Sequence, residues 1–147
     1  MGRRSGETQI DAGRGVILVD TSVWIDFFAG KKSAQTGLLI SSIEDSVDIC
    51  TCGPVITEVL QGVRSNAEYN RIHTILDDLI FFPAAKSVFV KAAIIYRTIR
   101  QNGKTIRSPI DCVIASICLE HEAAILHNDK DFDVIARYFP LKNCIRE

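Results

Sequence analysis

The chain has 147 residues, of which 47% are hydrophobic and 24% charged, with 17 basic against 18 acidic side chains and a formal net charge of −1. One domain of this length buries roughly two thirds or more of its unfolded surface, enough for a real core. The near-neutral balance excludes a protein that holds nucleic acid by bulk charge alone, and no apolar run approaches the ~18 residues that span a bilayer.

Residues 1–14, MGRRSGETQIDAGR, are polar and Gly-rich and lack the apolar centre of a secretory signal. They read as a disordered tail ahead of a domain at 15–147. The apolar run after it, 15–19, has the form of a strand buried on both faces and ends on Asp20. A helix follows over 22–28, then a loop at 29–34 with Gly30 as the helix stop. Residues 35–45 carry Leu38, Leu39, Ser42 and Ile43 at helical spacing. A strand is expected over 47–52, and Pro54 opens a helix to 61 that Gly62 stops. The pattern continues with a helix over 67–79, a strand at 80–83 and a long helix over 86–101 ending at Asn102-Gly103. Ser108-Pro109 starts a helix to 121. A buried strand at 124–127, a short helix at 131–138 and a last strand at 141–145 complete the chain. This alternation indicates an α/β fold, a mostly parallel sheet with helices on both faces. The cysteines, Cys50, Cys52, Cys112, Cys118 and Cys144, have no zinc-type spacing. They read as small buried hydrophobes of a reducing cytoplasm.

Four acids stand out against this pattern. Asp20 and Asp129 follow short apolar strands, and Asp111 lies in the first turn of the helix that precedes the second of those strands. Glu58 sits in PVITEVLQG beside the apolar stripe of Val55 and Val59. Each has a local explanation. Asp20 can cap a helix, Asp129 or Asp131 can cap the last one, Asp111 can complete a capping box with Ser108, and Glu58 can reach solvent. If the two strands are neighbours, however, all four carboxylates converge at one sheet edge, where open α/β sheets bind ligands. Two such charges about 5 Å apart repel by roughly 3 kcal/mol at an effective dielectric of 20. The cluster therefore stays partly protonated or holds cations. Oxygen-only ligands suit Mg²⁺ or Mn²⁺, and no histidine lies within three residues of Asp20, Glu58 or Asp111 to suggest zinc. Carboxylates with such ions suit phosphodiester hydrolysis. Ser22 stands two residues after Asp20, placed to orient that carboxylate or a metal-bound water.

The stretches VDTSVWIDFF, TEVLQG, SPIDCVIASICLEH and ILHNDKDFDVIA, in this order and spacing, resemble the PIN-domain ribonucleases, and among them the VapC-type toxins of toxin–antitoxin pairs. The likeness covers about residues 16–145. It implies a three-layer α/β/α sandwich and a Mg²⁺- or Mn²⁺-dependent endoribonuclease, usually dimeric, inhibited by a small VapB-like antitoxin. The family's acids fall on Asp20, Glu58, Asp111 and Asp129, with its hydroxyl on Ser22. Asp131 is a nearby alternative to Asp129, and Asp26 reads as lying outside the metal shell. Many members carry Thr where this chain has His127, which leaves the local hydrogen bonding open.

Substrate RNA needs cationic contacts. Arg97, Arg100, Lys104 and Arg107 form an acid-free run leading into the helix of Asp111, and Lys31 and Lys32 follow the first helix. These are candidates for phosphate contacts, although each also reads as ordinary solvated surface. Trp24, Phe27 and Phe28 read as core or dimer contacts. A haloacid-dehalogenase-type phosphotransferase needs a second Asp two positions after the first, where this chain has Ser22. The remaining alternative is a catalytically silent PIN-like module that sequesters a protein or RNA partner. Retention of four mutually repelling acids weighs against it.

Overall fold

The computed structural model describes residues 15–145, so the expected tail at 1–14 lies outside the described residues. Four strands, β1 (Ile17–Val19), β2 (Ile49–Cys52), β3 (Ile80–Phe82) and β4 (Ala124–Leu126), form a sheet in the order β3-β2-β1-β4. All pairings are parallel, with Leu18 opposite both Cys50 and Ile125. The helices among the described residues are α1 (Thr21–Phe28), α2 (Ala34–Glu44), α3 (Gly53–Gln61), α4 (Asn66–Asp77), α5 (Lys86–Gln101), α6 (Pro109–His121) and α7 (Lys130–Tyr138). They flank the sheet in a three-layer α/β/α sandwich. α5 packs on α6 and α7, while α1 packs on α2 and α3.

Local chemistry explains most boundaries. Ser33 and Thr36 close a capping box at the start of α2. Gly30 lies at φ +75° just beyond α1, a conformation that favours glycine. Every residue of β1, β2 and β4 is buried, as expected of strands covered on both faces. Trp24 and Phe132 are the largest fully buried side chains, and Cys50, Cys52, Cys112 and Cys118 are buried with them. Phe27 and Phe28 pack on Trp24, which places this aromatic group against the core.

Two expectations need correction. The last strand, expected over 141–145, is reduced to a parallel bridge between Ile125 and Asn143. The Leu141 N–H turns back to the Phe139 carbonyl at 2.7 Å. Lys142 O and Cys144 N both pair with Ile125, at 2.8 and 2.9 Å. The capping box of Ser108 with Asp111 does not form. The Ser108 side chain makes no capping hydrogen bond, and only its carbonyl accepts the Asp111 N–H, at 3.0 Å.

The arrangement that positions the site is the adjacency of β1 and β4. The chain leaves both strands at the same edge, where the Asp20 N–H donates to the Leu126 carbonyl at 2.9 Å.

Candidate active site

Asp20 caps α1 and is only 4% exposed. Its Oδ2 accepts hydrogen bonds from Ser22 N at 3.1 Å and Ser22 Oγ at 2.6 Å. Ser22 Oγ in turn accepts from Asn128 N at 3.0 Å, tying the end of β1 to the segment after β4. Burial pushes the Asp20 carboxyl above its usual range. The Ser22 hydrogen bonds oppose that shift, and the charge of Glu58 adds to it. Glu58 is half-buried on α3, and its Oε1 accepts from Thr21 Oγ1 at 2.8 Å.

Across the sheet edge stands a tighter group. Asp111, Asp129 and Asp131 each offer a carboxylate oxygen, and these oxygens all lie within 4.8 Å of one another. Asp111 is in the first turn of α6. Asp129 caps α7 and accepts from Asp131 N at 2.9 Å. Asp131 is buried, and its Oδ2 accepts from the main-chain N of Arg107 at 3.0 Å. Among the described residues Asp111 Oδ2 is buried without a hydrogen-bond partner. Burial, then the charges of Asp129, Asp20 and Asp131 and a side-chain hydrogen bond with Asp131, push the Asp111 carboxyl from 3.8 to about 8. Those couplings place Asp20 in the same electrostatic neighbourhood as the three aspartates, and Glu58 in that of Asp20. Asp129 and Asp131, weighed as alternatives from sequence, stand in the cluster together.

A buried carboxylate oxygen without a donor is costly unless a cation or proton meets it. An all-oxygen donor set fits a hard divalent cation. Asp111, Asp129 and Asp131 are the residues placed to hold one; Asp20 and Glu58, expected in the same cluster, stand outside this three-aspartate group, Asp20 coupled to it by charge and Glu58 coupled to Asp20.

The neighbouring polar groups are also fixed. His127 Nδ1 accepts the Asp129 N–H at 3.0 Å, and its Nε2 lies 3.5 Å from Asp133 Oδ1. Asp26 accepts from Asn128 Nδ2 at 3.3 Å and is not a member of the three-aspartate group. Of the six basic candidates, Arg107 reaches the acids, with NH2 3.6 Å from Asp129 Oδ1. Arg100 lies over the Tyr96 ring at 5.6 Å, and Arg97 borders an apolar hollow between α5 and α6. Lys31, Lys32 and Lys104 are exposed and make no ion pair among the described residues. Two participants were not singled out from sequence, Thr21 and Asn128. Thr21 adjoins Asp20 at the first position of α1, and Asn128 immediately precedes Asp129. That adjacency was the available signal.

A parallel α/β/α domain with aspartates gathered at the carboxyl ends of β1 and β4 defines a class of acidic-site domains. The PIN domain pattern matches residues 17–138, and the chain belongs to this family. Ribonuclease VapC11 of Mycobacterium tuberculosis (strain ATCC 25618 / H37Rv) is 36% identical over 126 residues, covering 83% of this chain and 92% of that protein. Among solved structures, VapBC2 from Rickettsia felis, bound to a DNA fragment from its promoter, superposes with a TM-score of 0.67 at 16% identity, covering 87% of this chain and 98% of that one. Mycobacterium tuberculosis VapC20, a Sarcin-Ricin loop cleaving toxin, gives 0.59 at 16% identity, covering 84% and 95%. These last two likenesses bear on the fold alone.

Proposed function

We propose that this chain is a metal-dependent endoribonuclease that hydrolyses RNA phosphodiester bonds as the toxin of a type II toxin–antitoxin pair. The observation that carries the reading is the Asp111, Asp129 and Asp131 group with its partnerless buried oxygen. The 36% identity to a protein named a ribonuclease supports RNA as the substrate.

Asp20, Glu58, Asp111 and Asp129 are the catalytic and metal-holding acids, and Asp131 completes the cage. Ser22 and Thr21 orient Asp20 and Glu58. Mg²⁺ or Mn²⁺ held there supplies charge to stabilise the leaving oxygen and to acidify an attacking water. Arg107 stands where a substrate phosphate approaches, and Arg97, Arg100, Lys104, Lys31 and Lys32 are further phosphate contacts. A VapB-like antitoxin partner, a homodimer and a cytoplasmic location accompany this reading. Among the described residues no helix is long and apolar enough to cross a membrane.

The test is incubation with mixed RNA in Mg²⁺, with and without chelator, beside Asp20→Asn. Cleavage that needs the ion and the aspartate is expected. Equal cleavage by both proteins refutes the assignment of the site, and no metal-dependent cleavage of any RNA leaves the silent binding module instead.

A further inference from the structure

A cavity of about 520 Å³ opens beside the acidic group. One stripe of α7 lines it, with Lys130, Asp133, Val134 and Arg137 at i, i+3, i+4 and i+7. Gln35 and Ile145 line it from elsewhere in the chain, and Asp129 belongs to both the cavity and the acidic group. An occupant therefore sits directly against the bond-cleaving centre proposed above.

Asp133 is the distinctive group in this cavity. Its Oδ1 accepts from Asn143 Nδ2 at 3.3 Å and lies 3.5 Å from His127 Nε2. Its Oδ2 has no donor among the described residues. The carboxylate is thus held in place with acceptor capacity to spare. His127 also accepts the Asp129 N–H at 3.0 Å, so one hydrogen bond and one 3.5 Å contact link the cavity's acceptor to a candidate cation ligand. Lys130 and Arg137 are exposed cations on the same stripe, and Val134 and Ile145 supply apolar surface.

This chemistry selects among ligands. The volume falls within the range of small-ligand sites and accommodates one nucleotide. Unpaired bases are read by hydrogen bonds on their Watson–Crick edges. Guanine presents two adjacent donors there, N1–H and the N2 amino group, which a carboxylate accepts. Uracil presents one N–H between two carbonyl oxygens that a carboxylate repels.

We propose that this cavity seats one unpaired guanine of the RNA next to the cleaved bond. Asp133 accepts from its Watson–Crick edge, and Lys130 and Arg137 meet the adjoining phosphates. The inference rests on the nuclease reading for the identity of the polymer, but the cavity's preference is measurable without cleavage.

Guanosine and uridine 5′-monophosphates are titrated into the protein in chelator, with binding followed by calorimetry and by amide shifts along α7. GMP is expected to bind at least about tenfold more tightly than UMP, with inosine monophosphate weaker than GMP. Asp133→Asn should erase the preference while the melting temperature stays near wild type, and Val134→Trp, which fills the cavity, should weaken both nucleotides. Equal binding of GMP and UMP, or a preference that survives Asp133→Asn, overturns the proposal whatever the cleavage assay shows. If no RNA is cleaved but GMP binds with dependence on Asp133, the nuclease reading fails and the guanine site stands.

Discussion

Arg107 and Asp131 meet through the main chain, the Arg107 N–H donating to Asp131 Oδ2 at 3.0 Å. The Arg107 guanidinium is thereby tethered at the acidic group, 3.6 Å from Asp129 Oδ1, with the side chain 78% exposed. An exposed ion pair of this kind is worth about 0–1 kcal/mol, so it cannot account for the residue's place in the fold. Its tie to Asp131 does not depend on the side chain at all. Arg107→Gln should therefore melt close to wild type. Mn²⁺ titration should show affinity unchanged or raised by up to about fivefold, because a competing cation has been removed. RNA cleavage should fall about tenfold or more through lost phosphate contact. Weaker Mn²⁺ binding would mean that the side chain supports the cage instead of facing it.

The Asp111 carboxyl is raised from 3.8 to about 8, chiefly by burial and then by the charge of Asp129. The folded state therefore holds this proton more tightly than the unfolded chain does. Its stabilising effect is fully present below about pH 4 and is lost as pH rises through about 8. In chelator, stability should fall across that window by an amount on the order of a few kcal/mol. A cation takes the proton's place, so Mg²⁺ or Mn²⁺ should raise the melting temperature more at pH 8 than at pH 5. Thermal melts across pH, with and without the ion, check this. Asp111→Asn should flatten the slope and abolish the ion-dependent shift.

Thr21 Oγ1 holds Glu58 Oε1 at 2.8 Å. Thr21→Val keeps the shape and removes the donor. It should cost about 1 kcal/mol of stability, measured by urea denaturation. Loss of a group that orients a ligand typically lowers metal affinity or activity by about 10- to 100-fold, and a loss in that range is expected in cleavage. A Thr21→Ser variant retains the hydroxyl and should recover most of it.

Ser22 Oγ donates to Asp20 Oδ2 at 2.6 Å and accepts from Asn128 N at 3.0 Å. Its bonds hold the Asp20 carboxyl down against burial. Ser22→Ala should let that carboxyl rise further, so the pH at which Mn²⁺ begins to bind should move upward. Stability should drop by about 1 kcal/mol, since Asn128 N is exposed and water replaces its partner. Mn²⁺ titrations at several pH values separate these effects, and an unchanged pH dependence would show that Ser22 does not tune Asp20.

The elements themselves were written locally. Apolar triplets ending in polar residues marked β1 and β4, Gly30 and Asn102-Gly103 marked helix ends, and Pro54 and Pro109 marked helix starts. Each depends on backbone preference or burial within a few residues, so the α/β alternation, and the placing of acids at strand ends and helix starts, were legible without coordinates. The last strand was not, because 141–145 has strand-like residues but among the described residues bridges only to Ile125.

The acidic group belongs to the other kind of information. Asp129 and Asp131 are two residues apart, and local pattern offers them as rival caps of one helix. Both turn toward Asp111 because the cap geometry at α7, the packing of α6 and α7 and the main-chain bond from Arg107 coincide. Thr21 reaches Glu58 only because α1 and α3 pack together, 37 positions apart. Sequence alone determined which side chains can carry charge and where strands end. Tertiary structure decided which carboxylates share a space, because mutual repulsion and burial act through distance in the fold and not along the chain.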